Sequence, residues 1–302
     1  MSFGPDEYLH DKTVADLITD NMEVATLTKD DSIEAFLKLL GEKHISSVPI
    51  LDGTAIVGMA DTLDLVSYMV STAPATVDEA HLEQFSRVIA LNPVSAVVDH
   101  SGRDPTIPIN VADKVTMALG FFAMGIHRVP IVDDSEAIVN ILSQSSVARH
   151  LKDEIVKGDM GVMSAKTLAD FSLDQCDIAS IEEDATVIEA LTKLRDEGVS
   201  ALAVLHPDGK LAGNLSAGDL RGLSDDKLPN LLATVGDFMD NHNPNSRNVV
   251  CVEATTTLAA AIGEFADNGV HRLWVLDSEM MPCGVLSLTD VMRLFNTYDA
   301  SA

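Results

Sequence analysis

Two dipeptides stand where a chain poor in cations has least reason to place them. His127-Arg128 heads the apolar phrase "HRVPIVD", and His271-Arg272 heads "HRLWVLD". The chain carries 20 Lys+Arg against 47 Asp+Glu, a net charge of −27. A guanidinium makes bidentate, charge-assisted bonds to phosphate, and a neighbouring imidazole adds a donor. A second pattern sets a hydroxyl three residues before a carboxylate: Ser216 with Asp219 in "LSAGD", and Ser287 with Asp290 in "LSLTD". Such a carboxylate can accept both hydroxyls of a ribose, while the serine and a helix N-terminus donate to a phosphate. Plainer readings stand beside both. The serine–aspartate spacing is also that of a capping box, and a His-Arg pair also suits a solvated strand end paired with surface acids. Recurrence of each pattern at equivalent positions favours the chemical reading.

Those residues sit in a fourfold repeat. The strand phrases "HISSVPILD" from His44, "GIHRVPIVD" from Gly125, "GVSALAVLH" from Gly198 and "GVHRLWVLD" from Gly269 align. Each precedes a second apolar phrase, from Gly58, Asn140, Gly213 and Gly284. The offset is 15 residues from 125 to 140, 198 to 213 and 269 to 284, and 14 from 44 to 58. A helical period precedes the first strands: Ile33, Phe36, Leu37 and Leu40 share one face, as do Val187, Leu191 and Leu194. Asp31 and Asp184 are N-cap candidates, and Gly125, Gly198 and Gly269 suit helix exits. Asp61, Ser143, Ser216 and Ser287 mark the start of a final helix. The unit therefore reads short strand, helix, strand, turn, strand, helix.

One unit of about 60 residues leaves apolar faces exposed, and pairing hides them. The segment 71–87 divides the first two copies, and 152–166 divides the chain into halves. Two paired modules with a pseudo-twofold axis follow. In that arrangement Arg272 faces the cleft of Asp219, and Arg128 that of Asp64. Neither a GxGxxG nor a GxxxxGK[ST] loop is present, which argues against a doubly wound nucleotide-binding enzyme.

Composition narrows the function further. Hydrophobic residues make up 46% and aromatics 4%, so the core must rest on aliphatic side chains, with the twelve methionines as fillers. The acidic field repels nucleic acid and anionic lipid surfaces. No stretch reaches the roughly 18 apolar residues of a membrane span, and "MSFGPDEYLHDKTV" lacks the pattern of a secretory signal. Cys176, Cys251 and Cys283 show no metal-ligand spacing and read as reduced thiols of a cytoplasmic protein. "NLS" at 214–216 spells a glycosylation sequon but falls in an expected strand, and "GNLSAG" misses the nucleophile-elbow spacing. An acid–base pair of aspartates is an alternative role, but they lie in separate repeats with no nucleophile nearby.

The four phrases resemble cystathionine-β-synthase (CBS) domains over residues 11–297, and in their order they resemble the γ subunit of AMP-activated protein kinase and its four-repeat relatives. The resemblance implies an α+β fold of four tandem CBS domains, 11–72, 90–152, 164–225 and 233–297, paired into two pseudo-twofold modules forming a disc. It implies no catalysis, and AMP, ADP or ATP held in clefts between repeats. It gives Asp64, Asp219 and Asp290 the ribose-binding role and Ser216 and Ser287 that of the neighbouring hydroxyl. His127, Arg128, His271 and Arg272 take the phosphates. Val199, Ser200 and Ala201 line base or sugar. Ser146 replaces the aspartate in the second repeat, with Ser145 where a basic neighbour is expected. In the first repeat Asp61 holds the hydroxyl position, so two carboxylates stand near a phosphate, and Ser46-Ser47 replace an arginine. The sites of Asp219 and Asp290 are therefore expected to fill before that of Asp64, with the Ser146 position empty. Expected partners are kinase catalytic and scaffold subunits or a second copy of the chain. The rival is a homo-oligomeric CBS scaffold holding another adenosyl ligand such as S-adenosylmethionine.

Overall fold

Each repeat builds the same three-stranded sheet. In the computed structural model, which describes residues 9, 11–18, 24–73, 87–158, 162–173, 177–221 and 230–296, the first repeat holds β1 (Leu27–Thr28), β2 (Ser47–Asp52) and β3 (Ala55–Asp61). The second holds β4 (Ile109–Asn110), β5 (Arg128–Val132) and β6 (Ile138–Ser143). The third has β7 (Ser180–Glu182), β8 (Ala201–Leu205) and β9 (Leu211–Ser216), and the fourth β10 (Cys251–Val252), β11 (Arg272–Leu276) and β12 (Pro282–Ser287). In every sheet the middle strand pairs parallel with the first and antiparallel with the third. The antiparallel pairing slips one residue at one equivalent place: after Ile50, Ile131, Val204 and Val275. A bulge kept in all four copies is a built feature that re-aims the strand end.

The helix of each repeat enters and leaves as local chemistry requires. Before α1 (Ile33–Lys43) the N-cap is Ser32, whose hydroxyl accepts the Ala35 N–H at 3.1 Å. Before α5 (Val187–Glu197) it is Thr186, in a capping box with Glu189. The expected caps Asp31 and Asp184 lie one and two residues too early; the Asp31 carboxylate instead accepts the Thr28 N–H and hydroxyl at 2.7 and 2.9 Å. The expected faces hold: Ile33, Phe36, Leu37, Leu40, Val187, Leu191 and Leu194 are all buried. The exits use the left-handed region, with φ of 102° at Gly125, 66° at Gly198 and 63° at Gly269. The first repeat puts exposed His44 there at φ 54°.

Final helices follow at α2 (Thr62–Thr72), α4 (Gln144–Lys157) and α8 (Leu288–Asn296), while α3 (Val115–Ala123) and α7 (Leu258–Asn268) are the first helices of the second and fourth repeats. The third repeat departs: its final helix is a 3₁₀ turn, Ala217–Leu220, ahead of residues outside those described, and α6 (Val235–His242) follows them. Most of the segment 71–87, residues 159–161, Cys176, the first eight residues and the domain edges at 222–225 and 297 also lie outside the described residues.

The chain forms two units, and each joins alternate repeats. One comprises Ala25–Pro105 and Ala179–Val249; the other comprises Met1–Val24, Thr106–Ile178 and Val250–Ala302. In the first unit Phe36 and Leu40 of α1, Leu65 and Val66 of α2, Leu191 and Leu194 of α5 and Phe238 of α6 share one core. In the second, Leu119 and Phe122 of α3, Val147 and Leu151 of α4, Ile262 and Phe265 of α7 and Val291 and Phe295 of α8 do so. The reading of 152–166 as a divider between consecutive halves is thereby corrected. α4 runs through it to Lys157, and helices of repeats 1 and 3, and of 2 and 4, bury one another's apolar faces.

A left-handed residue other than glycine costs about 1 kcal/mol. His44→Gly is therefore expected to stabilise the first repeat by up to about that amount, and Gly198→Ala to destabilise the third by a similar amount. Denaturant midpoints of the two variants check this.

Candidate functional site

The chemistry converges where each middle strand begins and each final helix starts. The N–H of the first helical residue donates to the carbonyl just before the strand in all four repeats: Thr62 to Ser46 at 3.1 Å, Gln144 to His127 at 3.0 Å, Ala217 to Ser200 at 3.1 Å and Leu288 to His271 at 3.1 Å. Sheet register completes the link. Ser47 is opposite Asp61, Arg128 opposite Ser143, Ala201 opposite Ser216 and Arg272 opposite Ser287. Each His-Arg dipeptide thus stands beside the helix start of its own repeat. Both belong to the unit of repeats 2 and 4, with His271 exposed and His127, Arg128 and Arg272 partly buried.

The three aspartates share one arrangement. One carboxylate oxygen serves the helix cap, and the other meets a donor outside the capping box. Asp290 Oδ2 accepts the Ser287 N–H at 2.9 Å and its hydroxyl at 2.6 Å, while Oδ1 takes Arg293 at 3.0 Å. Asp219 Oδ2 accepts the Ser216 N–H at 2.5 Å and hydroxyl at 2.9 Å. Its Oδ1 receives the Asn243 amide and the Ser246 hydroxyl. Asp64 Oδ2 accepts the Asp61 N–H at 3.2 Å, and Oδ1 takes the Ser101 N–H at 3.0 Å and hydroxyl at 2.6 Å. The capping box is therefore formed on one carboxylate oxygen, and the other is held by donors outside the box.

Burial acts on the charge of Asp64 and Asp219. Asp64 is 2% exposed, and burial, followed by the charge of Asp61, raises its carboxyl to about 7 against the pull of the Ser101 bonds. Burial also pushes Asp219 above the ordinary carboxylate range, opposed by its bonds from Ser216, Ser246 and Asn243. In the second repeat Ser146 shares a hydroxyl bond with Ser143 at 2.9 Å and receives Arg149 at 3.4 Å.

Of the remaining expected residues, Ala201 is buried, Ser200 offers its carbonyl to the helix start, and the Val199 N–H donates to Leu194. Arg272 and Asp219 fall in different units, as do Arg128 and Asp64. Sequence reading missed Ser101, Asn243 and Ser246, which lie in the repeat that follows each aspartate's own, ahead of its strand phrases. The available signal was the polar turn "NHNPNSRN", a cluster of loop formers directly after a helical run.

The model of the CBS domain matches residues 14–71, 170–226 and 235–297. The chain belongs to the CBS-domain family. A similar protein is the SNF1-related protein kinase regulatory subunit gamma-like PV42a of Arabidopsis thaliana, 24% identical, with 78% of this chain aligned to 74% of that one. Protein SDS23 of Kluyveromyces lactis is 25% identical over 87% of this chain, which spans only 58% of that protein's length. Among solved structures, protein MJ1225 of Methanocaldococcus jannaschii, a proposed archaeal homologue of g-AMPK, aligns over 94% of this chain and all of its own at TM-score 0.75 and 15% identity. A conserved protein of Pyrococcus horikoshii aligns over the same shares at TM-score 0.57 and 16% identity. The CBS fold thus extends to the second repeat, which has the same sheet and register although the family model leaves it unmatched. Among the described residues no helix is long and apolar enough to cross a membrane.

A raised carboxyl fixes a direction of pH dependence. Between about pH 4 and 7 the unfolded chain has released the proton of Asp64 while the folded chain keeps it, so stability falls as pH rises through that window. The change is expected to be on the order of 2–4 kcal/mol, and Asp64→Asn should remove most of it. A carboxyl-carbon NMR titration should place the midpoint of Asp64 near 7. A midpoint near 4 together with a flat stability profile contradicts the assignment.

Proposed function

We propose that this CBS-domain protein is a non-catalytic regulatory sensor of adenine nucleotides, binding AMP, ADP or ATP at the helix starts of its repeats. The carrying observation is the repeated helix-start aspartate, one oxygen on its own cap and the other turned to outside donors. In this reading a ribose diol takes the place of those outside donors on Asp64, Asp219 and Asp290. Ser216 and Ser287 supply the adjacent hydroxyl, and Val199, Ser200 and Ala201 line base or sugar. His127, Arg128, His271 and Arg272 give the acidic chain the local positive charge that phosphate recognition needs.

The repeats are taken as 11–72, 90–152, 164–225 and 233–297. The regulatory mechanism is population shift: a nucleotide that prefers one arrangement of the repeats favours it, and a partner surface reads the outcome. The name of the plant relative points to kinase subunits as that partner, with the protein acting in the cytoplasm.

Calorimetry on the full chain tests the reading. AMP should bind, and adenosine far more weakly. A charge-assisted bond to a partly buried phosphate contributes about 1.5–3 kcal/mol, so Arg272→Ala should weaken AMP binding about tenfold or more, and Asp290→Ala similarly through the ribose. Equal affinities for AMP and adenosine remove the phosphate role. A preference for S-adenosylmethionine over all three nucleotides replaces the ligand class.

A further inference from the structure

The carboxylate of Asp219 is saturated by the chain itself. A carboxylate offers about four lone-pair sites, and here Ser216 fills two while Asn243 and Ser246 fill the others. The last two donors flank and belong to the 3₁₀ turn Pro244–Arg247, which is seated closely over β9. Gly213 permits the approach. A Cβ there would stand 2.9 Å from the Ser246 carbonyl oxygen and 2.0 Å from Met239 Cε. Arg247 fastens the far end of the turn, donating to Asp240 at 2.8 Å, Glu183 at 3.2 Å and the carbonyls of Ala212 and Gly236 at 3.3 Å. Ser246 is 7% exposed. Asp290 contrasts: its outer oxygen meets Arg293, a side chain on the same helix that is 56% exposed. Solvent can take over from that arginine, whereas a competing donor is needed to replace a buried serine and a partly buried amide. Asp64, in the same unit as Asp219, is likewise met by a residue outside its own repeat, Ser101.

We propose that Asn243–Arg247 is a strap that occupies the diol-binding oxygen of Asp219, so that a vicinal diol reaches this carboxylate only after Asn243 and Ser246 release it. The inference rests on the nucleotide reading for its ligand, and it makes Asn243 and Ser246 the residues that set affinity at this site. Asp290 then fills first, and Asp219 responds at higher nucleotide concentration.

Two measurements on the full chain separate the strap from the ligand. Without ligand, Asp219→Ala should raise hydrogen exchange at the Ser246 and Asn248 amides about tenfold or more while β8 and β9 keep their protection. Unchanged exchange at those amides overturns the latch. With AMP as the probe, an Asp64→Asn, Asp290→Ala background isolates the Asp219 site. Adding Asn243→Ala and Ser246→Ala should raise its affinity about tenfold, and further adding Asp219→Ala should abolish that gain. Equal affinity with and without the strap donors overturns the competition. Exchange that responds as expected, with no AMP binding to any form including the unmodified chain, supports the latch and overturns the nucleotide reading.

Discussion

One hydrogen bond per repeat places everything else. The first N–H of a helix has no partner within the helix, and here it is given to the carbonyl before the middle strand at 3.0–3.1 Å in all four copies. That bond pins a helix start to a strand mouth. Because the two strands then run antiparallel, the residue at the mouth must lie opposite the cap. The histidine–arginine pair and the serine–aspartate pair, 15–19 residues apart in "HRLWVLDSEMMPCGVLSLTD", become neighbours. The repeated position of the bulge, between the fourth and fifth residues of each middle strand, keeps this register from drifting between copies.

The placement also explains how an acidic protein keeps carboxylates in partly buried positions. A helix N-terminus carries partial positive charge and donors that lack partners, so an aspartate three residues in receives both field and hydrogen bonds. Asp290 and Asp219 each take two donors from their own serine. The first repeat changes one residue and alters the balance. Asp61 replaces the serine, so a second carboxylate stands where a hydroxyl donor would be, and both side chains are buried. Asp61 gives its backbone N–H but no hydroxyl to Asp64, and Ser101 supplies that hydroxyl from outside the repeat. The raised carboxyl of Asp64 follows from that loss together with burial.

The repeat, the order of its elements, the apolar helix faces and the serine–aspartate caps were all legible in the sequence, because each is set by local periodicity or spacing. The helix caps Ser32 and Thr186 were misread by one and two residues, since Asp31 and Asp184 satisfy the same rule and only backbone geometry separates them. The grouping of repeats was not legible at all. Linker composition suggests consecutive halves, whereas the cores are decided by which helix faces fit, such as α4 on α7 and α2 on α5. The donors to Asp64 and Asp219 were invisible for a related reason. Ser101, Asn243 and Ser246 are 37, 24 and 27 residues from their acceptors and belong to no repeated phrase.

The second repeat separates what the fold needs from what the site needs. It keeps the register, the bulge and the strand-mouth bond, yet the family model passes over it. Its changes are polar and each finds a partner. Asn140 is buried where the other copies have Gly58, Gly213 and Gly284, and its side chain accepts the Ile141 N–H at 2.8 Å. Gln144, also buried, reaches the carbonyls of Phe122 and Ile126 at 3.1 Å and the hydroxyl of Thr289 at 3.0 Å. Thr289 adjoins Asp290. Within one unit, then, the repeat that lost its aspartate directs a side chain from its helix start to the helix start that kept one. Any movement of α4 against α8 must break or carry that bond, so the second repeat supports the position of Asp290 without offering a carboxylate of its own.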